Sequence, residues 1–372
     1  MLTTRAPYKN VALEHPIHPA FAPQMSTDYI PIIDFAQFGD GSSPDARAVS
    51  KLFYEACRDV GFAYLINTGI PQKTVDDMLN WTYLRNDMTK SAKFFNLPIE
   101  VKNQAPRVPE SQYGYSGVGI EQASQMVFDD EELAAIRKGK FLDFKESFDI
   151  ADETCSASGF GHVNIWLSEE NLPGFREFVL EYCRACRAFQ IEQLLPALSI
   201  GMGFDKDFFN QYHRNGENKL RLLHYPEGPS EVFKSGEKGR IAAHTDFRTC
   251  TLLFQDDAGG LEIESPTEPG KFIPATPMRG AVVFNIGDLL MRWSNDTLKS
   301  TSHRVRAPLM KADDDGVVPE RFSVPYFIAP DTGTIIDALP GCWGPDKPKK
   351  YAPIDARDYV DKRAGAGYRG TS

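Results

Sequence analysis

Two histidines and an aspartate, His244, Asp246 and His303, are the residues whose types and spacing bear most directly on chemistry. His244-Thr245-Asp246 follows the apolar Ile241-Ala242-Ala243 and runs into Thr249-Cys250-Thr251-Leu252-Leu253-Phe254. That stretch is rich in β-branched and large apolar residues, so it reads as a strand. Side chains alternate across a strand, which puts His244 and Asp246 on one face, where an imidazole nitrogen and a carboxylate oxygen can meet the same ion. A second strand over 301–305 brings His303, about 57 residues beyond Asp246. Two imidazoles and one carboxylate on one side of an ion leave its other side open, as in non-haem Fe(II) enzymes that bind a co-substrate and dioxygen. A zinc hydrolase can be built from the same donors, so the spacing alone leaves the metal open.

Arg321 and Ser323 narrow the choice. They stand two apart on the apolar run Arg321-Phe322-Ser323-Val324-Pro325-Tyr326-Phe327 and so can face one cavity. A planar guanidinium beside a hydroxyl is a good carboxylate receptor, and a charge-assisted contact of this kind is worth about 1.5 to 3 kcal/mol. An open metal with a carboxylate clamp nearby suits a keto acid held at both ends.

The order His-x-Asp, His, Arg-x-Ser, with Phe254-Gln255-Asp256-Asp257, Gly259-Gly260-Leu261 and Asn285-Ile286-Gly287-Asp288 between, resembles the 2-oxoglutarate/Fe(II)-dependent dioxygenases of the isopenicillin N synthase-like group. Near the start, Pro31-Ile32-Ile33-Asp34-Phe35, Ala56-Cys57-Arg58-Asp59-Val60-Gly61-Phe62 and Asn67-Thr68-Gly69-Ile70 are similar to that group's N-terminal region. The resemblance implies that His244, Asp246 and His303 bind Fe(II) and that Arg321 and Ser323 hold the far carboxylate of 2-oxoglutarate. It also implies that Tyr225 helps hold that co-substrate and that dioxygen is the second one. Leu223 stands where some relatives carry Asn. The implied reaction is hydroxylation, desaturation or ring closure of a small secondary metabolite or amino-acid derivative, with succinate and carbon dioxide released. Tyr113 and Tyr115 match an aromatic loop that borders the substrate in such proteins. Arg248 replaces a small residue of the relatives and is expected either to bind an acidic group of the substrate or to form an ion pair at the strand edge. Two alternatives stay open: an oxidase of the isopenicillin N synthase type that needs no keto acid, and an inactive ligand-binding relative.

At 372 residues, 42% apolar and 25% charged, the chain is an ordinary globular protein able to bury a sizeable core. A formal charge of −10 argues against non-specific nucleic-acid binding, which depends on Lys and Arg neutralising phosphates. No apolar run approaches the roughly 20 residues that span a bilayer and residues 1–18 lack an apolar secretory segment, so no membrane partner is expected and the cytoplasm is the expected compartment. Six cysteines without a regular framework fit a reducing compartment, and Cys183-x-x-Cys186, with no second pair, reads as structural. His162, His213 and His224 read as structural histidines.

Residues 1–28, with four prolines, read as an extended arm. Residues 29–200 read as a helical and strand region packing on the core. Within it, Ser43-Pro44 caps an amphipathic helix, 62–67 is a strand, 75–95 a second helix, 112–119 a loop, 145–149 a buried strand and 172–198 one long helix. Residues 201–340 carry short strands at 221–225, 241–254, 260–264, 271–274, 281–285, 301–307 and 321–328, separated by Gly, Pro and Asp turns. That pattern predicts a mainly β fold, a double-stranded β-helix or jelly roll, braced by the N-terminal helices with the metal in its mouth. Asp313-Asp314-Asp315-Gly316 reads as a solvated turn. Residues 341–372 read as a C-terminal segment, with a short helix over 356–362 near the pocket and a loose tail from Ala364.

Overall fold

The computed structural model describes residues 30–82, 94–107, 112–121, 143–155, 164–234, 239–307 and 316–368. The arm at 1–28, His162 and Asp313 to Asp315 lie outside these residues.

Two sheets face each other in a jelly roll. The major sheet has eight strands in the order β1 (Ile32–Asp34), β2 (Phe62–Ile66), β11 (Ala281–Ile286), β8 (Cys250–Gln255), β14 (Arg321–Ile328), β5 (Lys219–Tyr225), β4 (Glu146–Ala151) and β3 (Gly114–Ser116). The minor sheet runs β10 (Phe272–Pro274), β9 (Leu261–Glu264), β12 (His303–Val305) and β7 (Ile241–His244). Two short pairs complete the described strands: β6 (Gly228–Pro229) with β13 (Val317–Val318), and β15 (Ile335–Ile336) with β16 (Ile354–Asp355).

Strand alternation explains the two cores. On β8, β11 and β14, Leu252, Phe254, Phe284, Ile286, Val324 and Tyr326 point away from the minor sheet into the larger core. There they meet the N-terminal helices, chiefly Phe53, Ala56 and Cys57 of the helix Pro44–Asp59 and Val179, Tyr182 and Cys186 of the helix Phe175–Phe189. Residues of the opposite parity, such as Phe62, Tyr64, Leu223, Tyr225 and Val283, pack against Leu261, Ile263 and Val305 in the smaller core between the sheets. The functional cavity opens from this inter-sheet space.

The structure revises several expected elements. The second helix covers Gln72–Thr82, and a 3-10 turn at Phe94–Asn96 lies beyond 83–93, which are outside the described residues. The long helix begins at Phe175, behind Gly174 at φ 74°, and widens into a π turn at Gln190–Leu194 before continuing to Gly201. Pro196 accounts for the widening, because it has no N–H to donate four residues back. The single strand expected over 241–254 is two strands in different sheets, β7 and β8. The C-terminal helix runs Ala356–Tyr368, so residues 364–368 are helical where a loose tail was expected. No helix of the described residues is long and apolar enough to cross a membrane.

Candidate active site

Asp246 lies beyond the strand rather than on it. β7 ends at His244, and residues 245–249 cross from the minor sheet to β8 of the major one. Backbone bonds set this crossing: the N–H groups of Gly287, Asp288 and Leu289 donate to the carbonyls of Thr249, Asp246 and Phe247 at 2.9, 2.8 and 3.2 Å. His303 opens β12 directly opposite His244, with the ring centroids 4.3 Å apart, and Phe62 packs its edge on His303 at 5.4 Å. One donor atom from each of His244, Asp246 and His303 lies within 4.8 Å of the others.

Each donor is aimed by a second contact. His244 Nδ1 lies 2.9 Å from the Ala242 carbonyl and His303 Nδ1 3.2 Å from that of Thr301. A carbonyl only accepts, so Nδ1 carries the proton and Nε2 keeps its lone pair for a metal. Asp246 Oδ2 accepts from Thr251 Oγ1 at 2.5 Å and from Asn285 Nδ2 at 2.7 Å, which leaves Oδ1 on the side of His303 Nε2, 3.8 Å away. Burial, helped by His303, pushes the His244 ring well below its ordinary pKa, so it is neutral. Burial works to raise the Asp246 carboxyl, but His303, His244 and the two donors outweigh it and hold it below the usual range. Two imidazoles and a carboxylate, with one side facing a cavity, fit Fe(II).

Arg321 and Ser323 face the same cavity from β14, and Tyr225 pairs with Arg321 across the sheet. Arg321 is 1% exposed; it donates to Ser323 Oγ at 3.0 Å and Gln255 Oε1 at 2.8 Å, and among the described residues its Nε has no partner. The guanidinium groups of Arg321 and Arg240 lie 5.1 and 5.8 Å from the Tyr225 ring. Burial, with the Arg321 charge, pushes Arg240 down to about 10. A buried guanidinium with no carboxylate partner among the described residues is a receptor for an anion.

Arg248 also lines this cavity. It donates to the Glu217 main-chain carbonyl and to the Tyr113 hydroxyl, so the ion pair considered for it is absent among the described residues. Tyr113 is buried behind Arg248 and does not line the cavity. Tyr115 is not brought to the cavity at all. Its hydroxyl donates to Glu146, which also accepts from Lys102 at 2.8 Å and meets His224 at 2.7 Å. Gly114, at φ 108° against the backbone of Pro106, breaks the alternation that would have put both tyrosines on one face, and Gln112 lines the cavity instead. Sequence reasoning missed Thr251 and Asn285 behind Asp246, and the cavity-lining Lys219, Arg221, Asp149, Glu121 and Phe327. The alternation Lys219-x-Arg221-x-Leu223-x-Tyr225 on the Tyr225 face was the available signal.

The other described histidines, His213 and His224, have structural partners. His213 is held between the Phe209 carbonyl at 2.8 Å and Thr249 Oγ1 at 3.0 Å, and His224 stacks on Phe322 with centroids 4.5 Å apart. Cys183 and Cys186 are buried free thiols on the helix Phe175–Phe189.

Residues 30–169 match the family described as non-haem dioxygenase in morphine synthesis N-terminal, and 211–330 match the 2OG-Fe(II) oxygenase superfamily. The 2-oxoglutarate-dependent dioxygenase frbA of Dothideomycetidae sp. (strain 11243) is 34% identical, over 84% of this chain and 88% of the relative. This chain belongs to the 2OG-Fe(II) oxygenases. The proline hydroxylase buaE of Petromyces alliaceus is likewise 34% identical, over 86% of this chain and 93% of its own. Among solved structures, a full-length Neurospora crassa protein in complex with alpha-KG and thymine has a TM-score of 0.77 and 38% identity, covering 91% of this chain and 97% of that one. This oxygenase is a 2-oxoglutarate-dependent, non-haem Fe(II) dioxygenase that oxidises a small organic molecule and releases succinate and carbon dioxide.

Proposed function

We propose that His244, Asp246 and His303 hold the iron, that Arg321 and Ser323, with Tyr225 beside them, hold the far carboxylate of 2-oxoglutarate, and that the substrate is a small amino-acid derivative or secondary metabolite oxidised in the cytoplasm. The observation that carries this reading is the tethering of Asp246, with one carboxylate oxygen tied back to Thr251 and Asn285 and the other left beside the two imidazoles. Groups held this way need no rearrangement to bind an ion. Iron and 2-oxoglutarate bound there supply, with dioxygen, the oxidising power that breaks an unactivated C–H bond.

The protein's own residues set the geometry. His244 and His303 present Nε2 because main-chain carbonyls fix Nδ1. The buried Arg321 meets a carboxylate at low cost because Ser323 and Gln255 already order its guanidinium. Val360 and Ala364 of the C-terminal helix line the cavity and help keep water from it. The matched proline hydroxylase and the thymine-bound structure support a small polar substrate. Six free, buried cysteines support a reducing compartment.

An anaerobic titration with Fe(II) and then 2-oxoglutarate tests the assignment. A weak visible band of the chelated keto acid should form and should vanish in His244→Ala. Arg321→Ala should raise the 2-oxoglutarate needed for the band far more than it weakens iron binding. A band that survives His244→Ala, or an equal effect of Arg321→Ala on iron and keto acid, would reject these roles.

A further inference from the structure

Sheet register lays out the cavity from end to end. On β14 and β5 its face carries Arg321 opposite Tyr225 at one end and Phe327 opposite Lys219 at the other, a span of about 20 Å at about 3.3 Å per residue. Thr251, the residue that holds Asp246, pairs with Phe327 on the next strand, so the metal ligands stand nearer the Lys219 end than the Arg321 end. Whatever lies between Lys219 and the iron is therefore across the metal from the co-substrate clamp.

Among the described residues, that end brings more cations than carboxylates to the cavity. Lys145, Lys219, Arg221 and Arg248 line the cavity against the carboxylates of Glu121 and Asp149. Both acids are engaged: Asp149 takes Arg221 at 2.5 and 2.6 Å, and Glu121 takes Lys145 at 2.5 Å and Arg221 at 3.0 Å. Lys145 also stands 3.9 Å from Asp143. Lys219 is left with a long 3.4 Å contact to Asp149 and with the Phe327 ring at 5.4 Å. Arg248, 6% exposed, has a main-chain carbonyl and the Tyr113 hydroxyl but no carboxylate among the described residues. The two cations are close enough to feel each other. Burial, with the Arg221 and Arg248 charges adding to it and Asp149 opposing, pushes the Lys219 ammonium down to about 8.

We propose that Lys219 and Arg248 together form the receptor for a carboxylate of the substrate, on the far side of the iron from the co-substrate. An ammonium and a guanidinium with donors to spare suit the two oxygens of one carboxylate, and the group completes a buried Arg248 and a largely covered Lys219 that lack full counter-charge among the described residues. Tyr113 acts here as a positioning residue through Arg248. The proposal rests on the iron and 2-oxoglutarate reading of the other end, so the test separates the two.

A panel of small amino and aromatic acids, each paired with its primary amide, is presented to the Fe(II)- and 2-oxoglutarate-loaded enzyme while product and succinate are followed. Acids should dominate the hits, and each matched amide should lose about 10- to 100-fold in kcat/KM. Lys219→Met should raise KM for the acid and close the gap to the amide, leaving the 2-oxoglutarate requirement and the anaerobic band unchanged; Lys219→Arg should restore the gap. For the wild type, kcat/KM with an acid should fall above about pH 8 as Lys219, facing Asp149, Glu121, Arg221 and Arg248, loses its proton, and Lys219→Arg should remove that limb. Thermal stabilisation of the metal-free protein by the same acids gives a readout that needs no turnover. If the wild type forms no band, the co-substrate reading fails while this stabilisation, lost in Lys219→Met, still reports the receptor. Absence of any acid among the hits, or an equal loss for acid and amide in Lys219→Met, overturns the proposal.

Discussion

Asn285 and Thr251 decide where the Asp246 charge points, because both donate to the same carboxylate oxygen. Removing one leaves Asp246 free to rotate and shares its charge between two orientations. Asn285→Ala should therefore weaken Fe(II) binding about 10- to 100-fold with the fold retained, measured by iron titration beside a thermal melt. An unchanged iron affinity would show that Thr251 alone is sufficient. The proposed metal and clamp residues were legible because their chemistry sits in short motifs, His-x-Asp and Arg-x-Ser. Their supporting partners were not. Thr251 meets Asp246 because the crossing loop turns back on the start of β8, and Asn285 because β11 pairs with β8 at Thr251, neither of which a linear sequence shows.

At the scale of elements, the crossing loop at 245–249 is the part on which the site depends most. It is pinned along one edge by the start of the short helix Asp288–Trp293, and Gly287 approaches it so closely that a Cβ there would lie 2.2 Å from the Arg248 carbonyl oxygen. Gly287→Ala must push the loop away, so it should lower both thermal stability and iron affinity, each read directly on the purified variant. The same loop is tied to the C-terminal helix. Arg363 reaches Asp288 at 3.1 Å, with both side chains 0% exposed, and donates to Thr245. Breaking a buried pair from one side leaves the other charge without a partner, so Arg363→Met should cost about 3 to 5 kcal/mol in a urea melt. The alternation of short strands and turns announced the jelly roll. Where the chain leaves one sheet for the other was not visible, since an apolar run looks the same whether its halves pair together or apart.

At the scale of the whole molecule, the buried His213 and the half-buried His224 pull stability in opposite directions with pH. Burial pushes His213 down to about 4, against an ordinary 6.5, so between those values the unfolded chain takes up a proton that the native state refuses. Its contribution is complete above pH 6.5 and is lost as pH falls towards 4, on the order of 3 kcal/mol. His224 runs the other way. Burial disfavours its charge, but Glu146 and Glu320 outweigh burial and raise it, so its contribution is present at lower pH and fades as pH rises through the raised value. Urea melts of wild type and His213→Gln at pH 7 and pH 5 should show a smaller loss on acidification in the variant; parallel losses would assign the acid sensitivity elsewhere.

The crossing loop carries Asp246 and, two residues on, Arg248, with its backbone held at Asp246, Phe247 and Thr249 and closely approached by Gly287 at Arg248. If Lys219 and Arg248 read substrate charge as proposed, a change made at Arg248 would disturb the segment of the proposed ligand Asp246, whereas one made at Lys219 would alter a side chain at the start of a strand and leave that segment alone. In a lineage of such oxygenases, substrate charge would be free to drift at the first residue of β5 and would be inherited almost unchanged in the loop.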